Sequence, residues 1–186
     1  MNTYILASGS PRRREICQLA DISVEIIPAP DSVEPPLDLT RSPEEAVLAV
    51  ARAKAEAVAA AHPGRTVIGA DTTVWVDDTP LGKPADEEEA AAMLRKLQGR
   101  THRVLTAVWV CAPGKADGFV DGAEVTFYPM SEGDIAAYIA TGEPLDKAGA
   151  YGIQGRGMAY IQSLNGDFYT VMGLSGGKLK RFLAEF

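Results

Sequence analysis

The sequence predicts an α/β fold in which helices flank a mixed, twisted sheet. Short apolar runs rich in β-branched residues alternate with helical segments along the chain. Helix-opening signatures recur: Ser-Pro at residues 10–11 and 42–43, then Asp86 with Glu89. Some strand-like runs are separated only by short turns, which places antiparallel pairs in a sheet that crossover helices alone would make parallel. No internal repeat and no long linker interrupts the pattern. The expected organisation is one domain over residues 1–186, with room for two lobes around a cleft.

The elements run in order along the chain. Tyr4–Ala7 reads as a short strand, and Ser10-Pro11 as a helix start with a hydroxyl for the N-cap and proline at the first helical position. Ile16, Leu19 and Ala20 give that helix its apolar face. Residues 23–27, "SVEII", read as a second strand, and the proline- and acid-rich stretch 28–41 as an irregular loop. Ser42 and Glu45 have capping-box spacing and open a helix that reaches about His62. "TVIGAD" and "TVWVDD" read as strand-like runs joined near Asp71–Thr73, with a turn at Asp77–Pro80. A third helix runs from Asp86 through Leu97 and ends at Gly99.

"RVLTAVWVCA" and "AEVTFYPM" resemble two long strands, linked by a connection that opens with the glycine-containing "PGKADG". Ser131 and Asp134 start a fourth helix that stops at Gly142. Then come the glycine-rich "GEPLDKAGAYGIQGRG", a strand in "MAYIQSL" and an Asn165-Gly166 turn. Leu179, Phe182, Leu183 and Phe186 mark a terminal amphipathic helix.

Composition narrows the chemistry. A hydrophobic fraction of 46% supplies a real core. The 25 acids outnumber 18 bases, for a formal charge of −7, which argues against nucleic-acid partners, since these need a broad basic face. A local pocket can still oppose the global sign and hold one small phosphate ligand. Cys17 and Cys111 have neither disulfide-scaffold nor zinc spacing. The first charges come after a very short apolar run, the reverse of a secretory signal, and no apolar stretch approaches the roughly 18 residues of a membrane span. The expected setting is cytoplasmic and reducing, without membrane contact.

The densest positive charge of this acidic chain lies in "LASGSPRRRE", residues 6–15, where a strand turns into a helix. Such a turn offers backbone N–H groups and the positive end of a helix dipole. Pro11 has no N–H, so Ser8, Ser10 and the arginines carry much of any anion binding, and arginine forks suit phosphate. Arginines in a first turn oppose the helix dipole, a cost that a bound anion relieves. The plain alternative is a capped helix with solvent-facing arginines. No Walker-type loop is present.

Lys54 lies at helical spacing from Val47, Val50, Ala57, Val58 and Ala61, on the apolar stripe of its helix. A lysine there either snorkels to the edge or meets an anion. Lys83, in "LGKP", reads by itself as a solvated loop lysine. Asp71 ends an apolar strand, where an open α/β sheet places its ligand. Glu34 lies in the acidic loop, and Asp146 with Lys147 in the glycine-rich segment. Carboxylates of this kind suit Mg²⁺ or Mn²⁺, while two histidines and no matching cysteines argue against zinc.

"SGSPRR", "GADTTV", "LGKP", "LQGRTHRVLTAV" and "GEPLDKAGAYGIQG" stand in the order and spacing of the Maf-like nucleotide pyrophosphatases. The chain resembles that family from Leu6 to about Leu174. The resemblance implies a fold like that of inosine triphosphate pyrophosphatases, with a central cleft. It also implies hydrolysis of a nucleoside triphosphate to the monophosphate and pyrophosphate with Mg²⁺, Mn²⁺ or Co²⁺, an association with septum formation, and a homodimer. Asp71 matches the proton acceptor. Ser8, Arg12, Arg13, Glu34, Lys54 and Lys83 match phosphate- and metal-site positions, with Glu34 and Asp71 as metal ligands; whether Asp71 takes the proton or only holds metal stays open. Arg12, Thr72 and Gln154 match the positions that separate subfamilies, and resemble the branch acting on dTTP and UTP. Thr170 and Ser175, in "TVMGLS", replace the asparagine and proline of the family's "NVVGLP". Two other functions fit less closely: a pyrophosphatase for modified purine nucleotides such as ITP or 7-methyl-GTP, and a nucleotide-binding regulator of division acting through partner contacts.

Overall fold

The computed structural model describes residues 3–186. Its strands are β1 (Tyr4–Leu6), β2 (Val24–Ile26), β3 (Val67–Val76), β4 (Thr79–Leu81), β5 (Thr101–Ala112), β6 (Lys115–Phe127) and β7 (Ile161–Asn165). The helices are α1 (Pro11–Leu19), α2 (Pro43–Ala61), α3 (Glu87–Leu97), α4 (Glu132–Ile139), α5 (Phe168–Met172) and α6 (Gly176–Ala184). One seven-stranded sheet runs β2-β1-β3-β5-β6-β7, with β4 paired to β3. It is mixed, as expected: β1 pairs parallel with β2 and β3, while β3–β4 and β6–β7 are antiparallel.

The chain divides into two compact units. The first holds Met1–Thr72, described from Thr3, with Thr106–Asp121 and Gly173–Phe186; the second holds Thr73–Leu105 and Gly122–Met172. In the first, α1 and α2 are the crossovers that return the chain for β2 and β3, the connection parallel strands require. Ile5, Ala7, Val58 and Val67 form a buried cluster between strands and α2. The α2 capping box is complete: Glu45 N donates to Ser42 Oγ at 3.3 Å and Ser42 N to Glu45 Oε2 at 3.2 Å. Gly176 starts α6 against α1, since a Cβ there would lie 2.7 Å from Ile16 Cγ2.

In the second unit α3 and α4 pack through Leu94, Leu97, Ile135 and Tyr138 onto Val104, Val125 and Phe127. Asp86 caps α3 by accepting from Glu89 N at 2.8 Å, and Ser131 with Asp134 forms the α4 capping box. His102 is buried here, its Nε2 2.7 Å from Tyr151 Oη and its ring edge-on to Phe127.

Several expectations need correction. "TVIGAD" and "TVWVDD" are one ten-residue strand, because Asp71, Thr72 and Thr73 continue the extended backbone. The turn after it is only Asp77-Asp78, both at positive φ, and Thr79–Leu81 forms β4. "KADGFVDG" is strand within β6, so β5 and β6 are joined by Pro113 and Gly114 alone. Ser10 sits at the α1 N-cap, but its side chain makes no capping bond. Gly142 does not end α4, which closes at Ile139; it is a left-handed residue opening a short 3₁₀ turn. Residues 155–160 are 3₁₀ helix, so β7 starts at Ile161. Helix α5 is an element that the sequence pattern does not predict.

Candidate functional site

Lys54 meets two anions. Its Nζ donates to Asp71 Oδ1 at 2.7 Å and lies 3.0 Å from Glu34 Oε2. The Lys54 and Asp71 side chains are 14% and 13% exposed, too enclosed for solvent to screen the pair fully, whereas Glu34 is 51% exposed at the end of a short 3₁₀ turn. Asp71 is the fifth of ten residues in β3 and not its last, a further correction to the expected strand end. Gly69, two residues earlier, explains the short reach: a Cβ there would collide with Ala51 O and lie 2.7 Å from Ala55 N, so only glycine lets α2 settle on β3.

Arg13 leaves the first turn of α1 and is held from three sides. Its Nε donates to Gly173 O at 2.8 Å, Nη1 to Ser8 Oγ at 3.1 Å, and Nη2 to Thr72 Oγ1 at 3.2 Å. Burial lowers its pKa; Asp71 opposes that shift, Arg12 adds to it and Glu34 opposes it. Arginine remains cationic throughout the accessible range. Arg12 is half-buried, near enough for its charge to act on Arg13, and has no hydrogen-bond or ion-pair partner among the described residues. The guanidinium pair is thus differentiated: Arg13 is built into the fold and Arg12 keeps its donors.

Thr72 is similarly engaged. Its hydroxyl accepts from Arg13, shares a 2.8 Å hydrogen bond with Thr106 Oγ1 and lies 3.4 Å from Gly173 O. One hydroxyl has one proton and two acceptor positions, so these partners saturate it. Gly173 and Thr106 are not singled out by the sequence, although both lie within quoted motifs. Gly173 has φ +125°, and a Cβ there would sit 3.6 Å from both Arg13 Nε and Thr72 Oγ1.

Ser8, Arg12, Arg13, Glu34, Lys54, Asp71 and Thr72 all belong to the first unit, Lys83 and Gln154 to the second. Lys83 is exposed after β4, and Gln154 is exposed in the glycine-rich turn; neither side chain has a hydrogen-bond partner among the described residues. Thr170 and Ser175 are buried, at 0% and 2% exposure.

No three His, Cys, Asp or Glu side chains converge among the described residues. Glu34 and Asp71 nevertheless suit a hard cation. Mg²⁺ takes one or two protein carboxylates and completes its shell with water and substrate phosphate, so a two-carboxylate site is a sufficient protein share.

The backbone is similar along its length to solved Ham1 proteins. That of Staphylococcus aureus has a TM-score of 0.55 with 18% identity, covering 99% of each chain, and that of Coxiella burnetii 0.54 with 16%, covering 100% of each. These likenesses define the fold. The family model of Maf-like protein matches residues 3–186. A dTTP/UTP pyrophosphatase of Bacillus velezensis is 52% identical over 182 residues, 98% of this chain and 95% of that protein. One from Bacillus mycoides is 46% identical over 186 residues, 100% and 96% of the two chains. The chain belongs to the Maf-like family.

Proposed function

We propose that the chain is a nucleoside triphosphate pyrophosphatase that hydrolyses dTTP and UTP to the monophosphate and pyrophosphate. The observation that carries this reading is Lys54 held between Asp71 and Glu34 in the unit that also holds the Ser8–Arg13 cradle. The activity named for relatives 46–52% identical supports it. We take residues 1–186 as one functional domain, cytoplasmic and homodimeric, and no described helix is long and apolar enough to cross a membrane. The net charge of −7 speaks for a nucleotide and against a nucleic acid as partner.

Water attacks the α-phosphorus and pyrophosphate leaves. Lys54 occupies Asp71 Oδ1, leaving Oδ2 to accept the proton of the attacking water. Arg12, Lys54 and Lys83 offset the charge that grows on the leaving group, and Arg13 keeps Ser8 and Thr72 in place around them. A divalent cation held by Glu34 and Asp71 supplies Lewis acidity at the phosphate. Gln154 reads the base, because its amide is free while the Thr72 hydroxyl is saturated. Thr72 sets the shape of the site. A pocket that hydrogen-bonds a base edge rejects an ill-matched base strongly.

The test is pyrophosphate release from dTTP, UTP, ITP and 7-methyl-GTP, with and without Mg²⁺, Mn²⁺ or Co²⁺. Turnover of dTTP and UTP above the purines is expected, and absence of any triphosphate turnover by folded protein overturns the reading.

A further inference from the structure

The glycine-rich segment contains a carboxylate that the catalytic reading does not use. Glu143 Oε1 accepts from Tyr138 Oη at 2.8 Å and from Gly157 N at 3.0 Å; Oε2 accepts from Arg156 N at 2.8 Å. Tyr138 Oη in turn accepts from Gly152 N at 3.1 Å. One carboxylate and one phenol therefore bind the backbone N–H groups at 152, 156 and 157. These are the two ends of the turn that carries Gln154.

The surrounding residues are shaped for this. Gly155 has φ +82°, and a Cβ there would lie 2.7 Å from Glu143 Oε2; at Gly157 it would lie 2.5 Å from Tyr138 Oη. The turn closes on the carboxylate only because both positions lack side chains. Tyr138 is buried at 1% exposure, so the anchor point on α4 is rigid. Lys147 Nζ donates to Glu143 O at 2.8 Å, fixing the near side of the same segment. Gln154 itself projects from the turn with no bond of its own.

We propose that Glu143, acting with Tyr138, is the positioning residue that holds the 152–157 turn so that Gln154 presents its amide in one orientation to the nucleobase. An amide can offer donor and acceptor either way round, so selectivity by glutamine needs its backbone held. The proposal rests on the reading of Gln154 as the base contact. Glu143 touches no reacting atom and acts through the turn.

The experiment is a double-mutant cycle with Glu143→Gln and Gln154→Ala, scored as the ratio of kcat/KM for UTP over ITP. The Glu143→Gln change keeps the side chain's size but sets an NH₂ donor against a backbone N–H. Expected is a fall in the ratio of about tenfold for Glu143→Gln, appearing in the KM for UTP, and less than about twofold further loss when Gln154 is already alanine. An equal loss for both nucleotides, or an undiminished effect in the Gln154→Ala background, overturns the inference while leaving the pyrophosphatase reading intact. If Gln154→Ala alone leaves the ratio unchanged, the base-contact reading and this inference fall together. If Glu143→Gln does not fold, Tyr138→Phe, which deletes only the hydroxyl between Gly152 N and Glu143, enters the same cycle with the same criteria.

Discussion

Lys54 on α2 and Asp71 on β3 stand 2.7 Å apart, an enclosed ion pair made possible by the missing side chain of Gly69. The lysine fixes one carboxylate oxygen and leaves the other for chemistry. Asp71→Asn keeps shape and an acceptor for Lys54 but removes basicity. Turnover of dTTP is expected to fall about 10²–10⁴-fold with KM changed little, as measured by steady-state pyrophosphate release. Retention of full kcat would remove Asp71 from the proton transfer.

Gly69→Ala tests how the pair is built. The added methyl meets backbone of α2 at Ala51 and Ala55, which a rotamer change cannot relieve. The helix must move off the sheet, taking Lys54 with it. Stability should drop by about 1–3 kcal/mol in urea unfolding, and kcat should fall in parallel although no catalytic group is altered.

The two arginines should respond differently to lysine. At Arg13 the fork donates to Gly173, Ser8 and Thr72 together, and an ammonium cannot match that geometry. Arg13→Lys is expected to lower stability by about 1–2 kcal/mol and to reduce kcat/KM by an order of magnitude or more. Arg12→Lys, with no internal partner to lose, should leave the urea midpoint unchanged and raise KM for dTTP. Equal stability losses in the two variants would contradict the division of labour.

What the sequence reveals, and what it conceals, divides along range. Local chemistry is legible: the Ser42/Glu45 and Ser131/Asp134 capping boxes form as spaced, and Lys54 points from its apolar stripe to an anion. Contacts between distant residues are not. The acceptor of Arg13 Nε is Gly173, 160 residues away, and nothing at either position announces the other. Polarity also misleads. Asp71-Thr72-Thr73 resembles a joint between two strands, yet threonine is β-branched and suits the pleat. Gly118 resembles a turn residue, but it lies within β6, where a Cβ would collide with Val108 O and lie 2.6 Å from Trp109 Cε3. Its glycine serves close approach and not chain reversal.

The buried His102 makes stability depend on pH in a defined window. Its ring faces Tyr151 and Phe127, its Nδ1 has no hydrogen-bond partner, and burial pushes its pKa down to about 4. In the unfolded chain the same imidazole titrates near 6.5. Between these values the unfolded state binds a proton that the folded state refuses, so stability rises with pH across the window and is flat above it. The histidine's contribution is complete above about pH 6.5 and is lost as pH falls toward about 4. By about pH 4.5 the loss should reach about 2–3 kcal/mol. Urea unfolding of wild type and His102→Gln at about pH 7.5 and about pH 4.5 measures it. The wild type should lose that amount more than the variant, because glutamine has no proton to take up. An identical pH response in both proteins would show that His102 is not the group responsible.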